Sequence, residues 1–461
     1  MIADLAWWVF KTSFGLISLA SIWVRASMHS GPPWAKDTEQ EKKALGEAQD
    51  ARWSLIREPI AGFRHAFYRT RKGARLHYVV NRGVEEKSEG RNVAIFIHGF
   101  PDSYLLWRSV LEDPELRDYV LVAVDLPGYG GSDGLSSYDA TSVLEALTDF
   151  IIGMRSAFLN QDYKLVMVMH DWGSLIGARL ASEAKGLADH WVVTSGLVPH
   201  ATVANVRSQS SLAMQMLRTW TRQPLNTVLL RNAIRALDPV KSQFSCSFYI
   251  FCFNLPPPFN IFFATFGNYW FLRILHSLGK GKAQKPDAGE LAEAMAMSAG
   301  PAMAQITKNT GNGHDGLRYG EAVRKRVADR GMAEKIRIYR EGLFVGTWDK
   351  SLQTTADLYN LPGSSVMVST TAPQGAFKAP ATIIMGKDDL AFDRRLALGG
   401  VRDYLPKGSH VLVIEGAGHW LPIEETGRLV LQKTVRWALG DGTGKSAPFA
   451  DMSNVQIVEE L

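Results

Sequence analysis

Cysteine is nearly absent from this chain: Cys246 and Cys252 are the only two among 461 residues. Two cysteines cannot build a disulfide framework, and neither sits in a metal-ligand spacing. A disulfide-stapled secreted scaffold and a thiolate metal centre are thereby excluded, and a reducing compartment is expected. No Asn-x-Ser/Thr sequon occurs either, as expected for a domain that faces the cytosol. An excess of one charge is also lacking. Lys and Arg number 51 against 46 Asp and Glu, a net charge of +5. With no basic block and no aromatic-interleaved stripe, nucleic acid is not an expected partner. There is no internal repeat, and nothing in the pattern calls for a cofactor or a metal. What remains, with 46% apolar and 21% charged residues, is the composition of a folded globular protein.

Long hydrophobic runs are few, and one stands at the amino terminus. Leu5 to Val24 reads LAWWVFKTSFGLISLASIWV, with Lys11 as its one charge. About 20 such residues suffice to cross a bilayer. Trp7 and Trp8 at one end, and Trp23 with Arg25 at the other, are placed as interfacial anchors. A cleaved signal peptide competes with this reading, but Asp4 precedes Lys11 and the basic leader is poor. Residues 1–30 are therefore read as a single-pass membrane anchor and 31–60 as a tether with some helix between Thr38 and Ala51. A second apolar stretch, Phe244 to Leu275, is interrupted by Pro256, Pro257 and Pro258. Three prolines preclude one continuous helix there, so a core-facing or interfacial helical pair is expected.

The rest of the chain alternates strand-like and helix-like patterns. Apolar runs at His65–Arg69, Arg75–Val80, Val93–Ile97, Tyr119–Val124, Leu165–Met169 and Trp191–Thr194 read as strands. Helical spacing covers Thr141–Leu159. After Pro199 the alternation stops and the chain becomes helical and aromatic. It resumes with strands at Ala381–Met385 and Val411–Ile414 and a helix at Glu425–Leu439. Strands alternating with helices predict a mostly parallel sheet covered on both faces. The expected organisation is a core in two pieces, 61–198 and 377–440, a helical cap over 199–376, and a tail over 441–461. Within the cap, 278–315 is Gly-, Ala- and Lys-rich and reads as a mobile surface excursion.

The central stretch is LVMVMHDWGSLIGARLA, from Leu165 to Ala181. A buried strand, a sharp turn and a helix make a nucleophile elbow, which lifts one reactive side chain above a sheet. The residue at the apex is Asp171, whose carboxylate can attack carbon and form an ester. The plainer alternative is an aspartate that caps the following helix. Two later strands lead into Gly386-Lys387-Asp388-Asp389 and Gly416-Ala417-Gly418-His419-Trp420. Nucleophile, acid, histidine is the order of an α/β-hydrolase triad. Asp389 would hold the imidazole of His419 while its other nitrogen activates water. Asp388 and Asp393 are rivals for the acid.

HGFP at His98–Pro101, DLPGYGGSD from Asp125, HDWG at His170–Gly173 and GHW at Gly418–Trp420 follow in this order. In these motifs the chain, from about Phe67 to Leu439, resembles the epoxide hydrolases of the α/β-hydrolase superfamily. The resemblance implies the α/β-hydrolase fold with an inserted helical cap, and an oxyanion hole made by the backbone N–H groups of Phe100 and Trp172. It extends into the cap. SFYIFCFNLPPP and IYREGLF are similar to the segments in which the family carries two tyrosines, here Tyr249 and Tyr339. Two phenols above the nucleophile would bind and protonate the epoxide oxygen. The implied activity is hydrolysis of a small lipophilic epoxide to a vicinal diol through an aspartyl ester, without a cofactor. The expected location is a membrane, that of the endoplasmic reticulum, with the catalytic domain toward the cytosol.

Two departures stand against the family pattern: Met169 where a small residue precedes the nucleophile by two, and Ser174 where glycine is usual. A long side chain at 169 must fit beside a crowded turn. It motivates an alternative, a non-catalytic relative that binds lipid in the same pocket. A haloalkane dehalogenase also uses an aspartate followed by tryptophan, but expects a halide-donating side chain where Phe100 stands. A fluoroacetate dehalogenase expects arginine where Trp172 stands.

Overall fold

The computed structural model describes residues 2–29, 36–278, 287–308, 317–362, 372–440, 447–449 and 452–458. Nine strands form one sheet: β1 Arg64–Arg69, β2 Arg75–Val80, β3 Val93–Ile97, β4 Val120–Val124, β5 Leu165–His170, β6 His190–Thr194, β7 Ala381–Gly386, β8 His410–Ile414 and β9 Val455–Ile457. Their order is β1-β2-β4-β3-β5-β6-β7-β8-β9. Strands β3 to β8 run parallel, and the antiparallel pairs lie at the two ends. This is the α/β-hydrolase fold, with β5 near the centre. Alternation along the strands supplies both faces. In β3, Val93, Ile95 and Ile97 enter one apolar core and Ala94 and Phe96 the other. Buried on both sides, such strands read as unbroken apolar runs.

The sheet draws on sequence before 194 and after 381, and the segment between carries no strand among the described residues. Two helices, Pro199–Arg222 and Thr227–Cys246, leave the core as an antiparallel hairpin. The apolar stretch of the cap becomes the helices Phe248–Phe253 and Phe259–Leu278, separated at the prolines. The second is broken at Phe266–Tyr269, where Asn268 and Tyr269 take positive φ. Asp37 holds that break. It accepts from Asn268 Nδ2 at 2.5 Å and pairs with Arg273 and Arg330.

Two segments differ from the sequence reading, and the helix expected within the tether is present. That helix, expected between Thr38 and Ala51, runs over Glu39–Trp53, with a capping box at Thr38 and Glu41. It packs on the helix Ala288–Ala299, which occupies the middle of the expected surface excursion. Ala48, Ala292 and Ala296 meet there, and Trp53 Nε1 donates to the Ala296 carbonyl at 3.0 Å. Small side chains on both helices allow this close approach, which composition alone reads as flexibility. The flanks of that excursion, 279–286 and 309–316, lie outside the described residues. In the expected tail, β9 pairs with β8, and Phe449 is buried.

The amino-terminal helix, Ile2–His29, is long and apolar enough to cross a membrane. In this structure one face lies on the cap. Gly15 sits where an added Cβ would be 2.8 Å from the Phe251 carbonyl oxygen. Leu19, Ile22 and Ala26 continue the buried stripe, and Phe14 meets the Phe251 ring edge-on at 4.8 Å. The opposite face, with Trp8, Ile17 and Val24, is exposed. Gly15→Val should therefore undock the helix, with an overpacking cost of about 1–3 kcal/mol. Cys252, buried beneath the Gly15 carbonyl, should then react faster with a thiol reagent than in the parent protein. Unchanged Cys252 reactivity would show that the contact contributes little.

Candidate active site

Asp171 closes β5 with φ 51° and ψ −117°, a strained conformation for a residue with a side chain. It begins the helix Trp172–Glu183 but makes no side-chain capping bond to it. The capping alternative therefore fails, and the carboxylate is turned elsewhere. Its Oδ1 accepts from the Phe100 N–H at 2.8 Å. The Trp172 N–H makes no hydrogen bond to that oxygen among the described residues. Only glycine fits at two neighbouring positions. A Cβ on Gly99 would stand 2.4 Å from Asp171 Oδ1, and one on Gly173 2.4 Å from the Ile97 carbonyl oxygen.

His419 follows β8 and faces both acids. Its Nδ1 lies 2.9 Å and 3.1 Å from the two carboxylate oxygens of Asp389, and its Nε2 lies 3.6 Å from Asp171 Oδ2. Asp389 is buried at the end of β7. Its rivals do other things: Asp388 is exposed, and Asp393 caps a short helix and pairs with Arg395. Burial opposes charge on His419, but the Asp389 charge, its hydrogen bond to Asp389 and the nearby Asp171 carboxylate prevail. The imidazole is held well above its ordinary 6.5.

Tyr249 and Tyr339 come from the cap, with ring centroids 5.9 Å apart and nearly perpendicular. Tyr339 packs edge-on against Trp172 and Phe100. Burial and then neighbouring negative charge, including Asp171, raise both phenols, so they remain protonated. The two tyrosines and Asp171 are shared by two apolar cavities of about 320 and 340 Å³. One extends past Leu175, Leu197 and Phe344, the other past Phe248, Trp270 and Leu275. A larger cavity of about 590 Å³ beside Arg71 and Asp133 contains none of these groups. Among the described residues, no cluster of His, Cys, Asp or Glu could hold a metal.

Several supporting residues were not evident in the sequence. Glu424 accepts from the Gly418 N–H at 2.5 Å and the Trp420 N–H at 2.9 Å, clamping the loop that carries His419. Asp102 accepts from Trp420 Nε1 at 3.3 Å, and burial together with the Asp171 charge pushes its carboxyl up to about 7. Asp125 accepts from the Tyr104 and Gly131 N–H groups, and His98 Nε2 accepts from the Leu126 N–H. The HGFP and DLPGYGGSD motifs thus brace one another under the site.

The two departures are accommodated. Met169 is fully buried and its sulfur lies over Gly177, where a Cβ would come within 1.7 Å of Sδ. Ser174 Oγ donates to the Thr194 carbonyl at 2.8 Å.

The profile of the alpha/beta hydrolase family matches residues 94–432. That is well over half of the chain, which belongs to this family. Among curated proteins, it is similar to epoxide hydrolase 3 of Xenopus tropicalis, 29% identical over 34% of this chain and 46% of that one. It is likewise 30% identical to epoxide hydrolase 2 of Caenorhabditis elegans, over 31% and 37% of the two chains. A haloalkane dehalogenase of Mycobacterium marinum is 26% identical over 36% and 52%. The chain thus spans less than half the length of the two epoxide hydrolases. Among solved structures, an aCif variant is similar with TM-score 0.50 and 14% identity, over 88% of this chain and 98% of that one. The inhibitor complex of Bacillus megaterium epoxide hydrolase gives TM-score 0.47 and 19% identity, over 81% and 99%.

Two outcomes follow from this geometry. Gly177→Ala should drive its methyl into Met169 and cost about 1–3 kcal/mol. Met169→Ala alone should cost about 2–5 kcal/mol, and the double variant should lose less than the sum of the two, so a double-mutant cycle reads the contact directly; strict additivity would place Met169 elsewhere. Asp171→Asn removes a charge that favours the imidazolium, so the His419 titration followed by NMR should move to lower pH. A midpoint that stays put or rises would mean Asp389 alone sets it.

Proposed function

We propose that this protein hydrolyses lipophilic epoxides to vicinal diols through an ester on Asp171. The observation that supports it most is the placement of two protonated phenols and one carboxylate at the junction of two apolar cavities. In the first half-reaction Asp171 Oδ2, the oxygen facing His419, attacks an epoxide carbon. The carbon–oxygen bond of the ring breaks, and Tyr249 or Tyr339 gives a proton to the departing oxygen while the other holds it by a hydrogen bond. In the second, His419 Nε2 takes a proton from water, whose oxygen attacks the Asp171 carboxyl carbon. Charge then develops on Oδ1, where the Phe100 N–H already donates. Collapse breaks the ester bond to the substrate oxygen, which takes the proton held by His419. The second proton of the attacking water returns to the phenolate, so that the diol leaves and carboxylate, imidazole and phenol are restored. Ester formation also neutralises Asp171, one of the charges that hold a proton on His419. The imidazole therefore becomes a base at the step that needs one.

Apolar walls on both sides of Asp171 suit an epoxide with hydrocarbon on both ring carbons. The outer face of the amino-terminal helix suits attachment to the membrane in which such a substrate dissolves; the cytosolic face of the endoplasmic reticulum is the proposed location. A dehalogenase reading is disfavoured by Phe100, whose ring packs against Phe253 and Tyr339 and has no donor for a halide.

His419→Gln should form the ester but not release it. Incubated with an aryl epoxide, this variant should add one substrate mass to the peptide containing Asp171, detected by mass spectrometry. Replacing either tyrosine with Phe should slow ring opening by about ten- to a hundredfold. An adduct formed with alkyl halides and indifferent to both tyrosines would instead identify a dehalogenase. Diol production by the parent protein, without any adduct in the His419 variant, would mean direct attack by water.

A further inference from the structure

We infer that the helical hairpin 199–246 is a second membrane contact, one that reads anionic lipid. The hairpin carries Arg207, Arg218, Arg222, Arg231, Arg235 and Lys241 against a single acid, Asp238. That excess equals the +5 of the whole chain. Four of the arginines flank the tip, two in the last turns of the first helix and two early in the second. At the tip Leu225 is 95% exposed, Val228 is exposed in the first turn of the second helix, and Ile234 is exposed further along it.

The two helices pack chiefly on each other, with Ala213 and Ala233 buried between them. Their attachment to the body is at the base, where Asn205 donates to the Leu396 and Gly399 carbonyls and Gln243 to the Ala391 carbonyl. A helix of 24 residues extends about 36 Å, so the tip stands well away from the core. Apolar residues at a projecting tip, ringed by arginine, match a phospholipid surface with acidic headgroups. An acidic protein would have no use for the bare leucine at the apex. The base of the same hairpin walls the site, since Thr202 and Gln243 line one of the cavities beside Asp171. Phe244 in the last turn of the second helix touches Phe10 and Phe14 of the amino-terminal helix. Both apolar elements are thus joined to the same side of the cap. Lipid contact at the tip would hold that side toward the bilayer. The inference does not depend on the reaction catalysed.

The test uses the full chain with Leu225→Cys carrying an environment-sensitive fluorophore. Parent protein taken through the same labelling gives the background from Cys246 and Cys252. Vesicles contain phosphatidylcholine alone or with phosphatidylserine, each with and without a lipid-borne nitroxide quencher. The probe at 225 should become lipid-quenched on phosphatidylserine vesicles and remain in water on neutral ones. Arg218→Glu with Arg222→Glu should weaken binding to the anionic vesicles by about ten- to thirtyfold and leave binding to neutral vesicles unchanged. These residues are exposed, so thermal unfolding should not move. If the protein floats with anionic vesicles while the probe stays in water, the amino-terminal helix alone makes the contact and the inference fails. Equal quenching on neutral vesicles would overturn the charge requirement. Protection by polyglutamate but not by vesicles would identify an acidic protein as the occupant.

Discussion

The arrangement depends on the turn at Asp171. A non-glycine residue with positive φ is costly, of the order of 1–3 kcal/mol, and the surroundings must hold it there. They do so by contact. β5 lies between β3 and β6, and the loop after β3 passes so close that Gly99 and Gly173 have no room for a side chain. That proximity places the Phe100 N–H on Asp171 Oδ1. The strain and the Phe100 hydrogen bond are therefore one feature of the packing. The hydrogen bonds of Asp125 and His98 beneath the turn keep the two loops from separating.

Electrostatics in the site follow from the same enclosure. Three carboxyl groups and an imidazole share a region that water barely enters. Asp102 responds by rising to about 7, and His419 by retaining its proton. Buried charges of opposite sign stabilise each other only while both persist. Neutralising Asp171 therefore lowers the basicity of His419, and in the proposed reaction ester formation would thus prepare the attack by water. The phenols of the cap contribute in the opposite sense: burial beside a carboxylate keeps them as acids.

The cap is held from two directions. Toward the core, Tyr339 rests on Trp172 and Phe100. On its outer side, Phe251 receives the amino-terminal helix, and Asp37 fixes the break at Asn268. The helix Glu39–Trp53 joins these attachments, since Trp53 packs on Tyr104 in the core and bonds to Ala296 in the cap. The segment before the first strand thus acts as a brace across both layers. The apolar amino terminus is at once part of this packing and an exposed apolar surface.

Much of this was legible in the sequence because it is local. Unbroken β-branched runs mark buried parallel strands, and the turns after β5, β7 and β8 display their polar side chains, so Asp171, His419 and the acid region near Asp389 could be read directly as candidates. The family resemblance added Tyr249 and Tyr339. The choice of Asp389 over Asp388 and Asp393 was not local, since all three are polar residues in one loop and only the position of His419 separates them. Met169 looked disruptive because its partner, Gly177, is two turns along the next helix and its meaning is the absence of an atom. Glu424 and Asp102 act through backbone and indole N–H groups brought near by folding. A helix between Thr38 and Ala51 was legible, whereas residues 288–299 carry alanines and charges that suit a surface excursion equally well. That the two helices bury their alanines against each other is decided by tertiary structure.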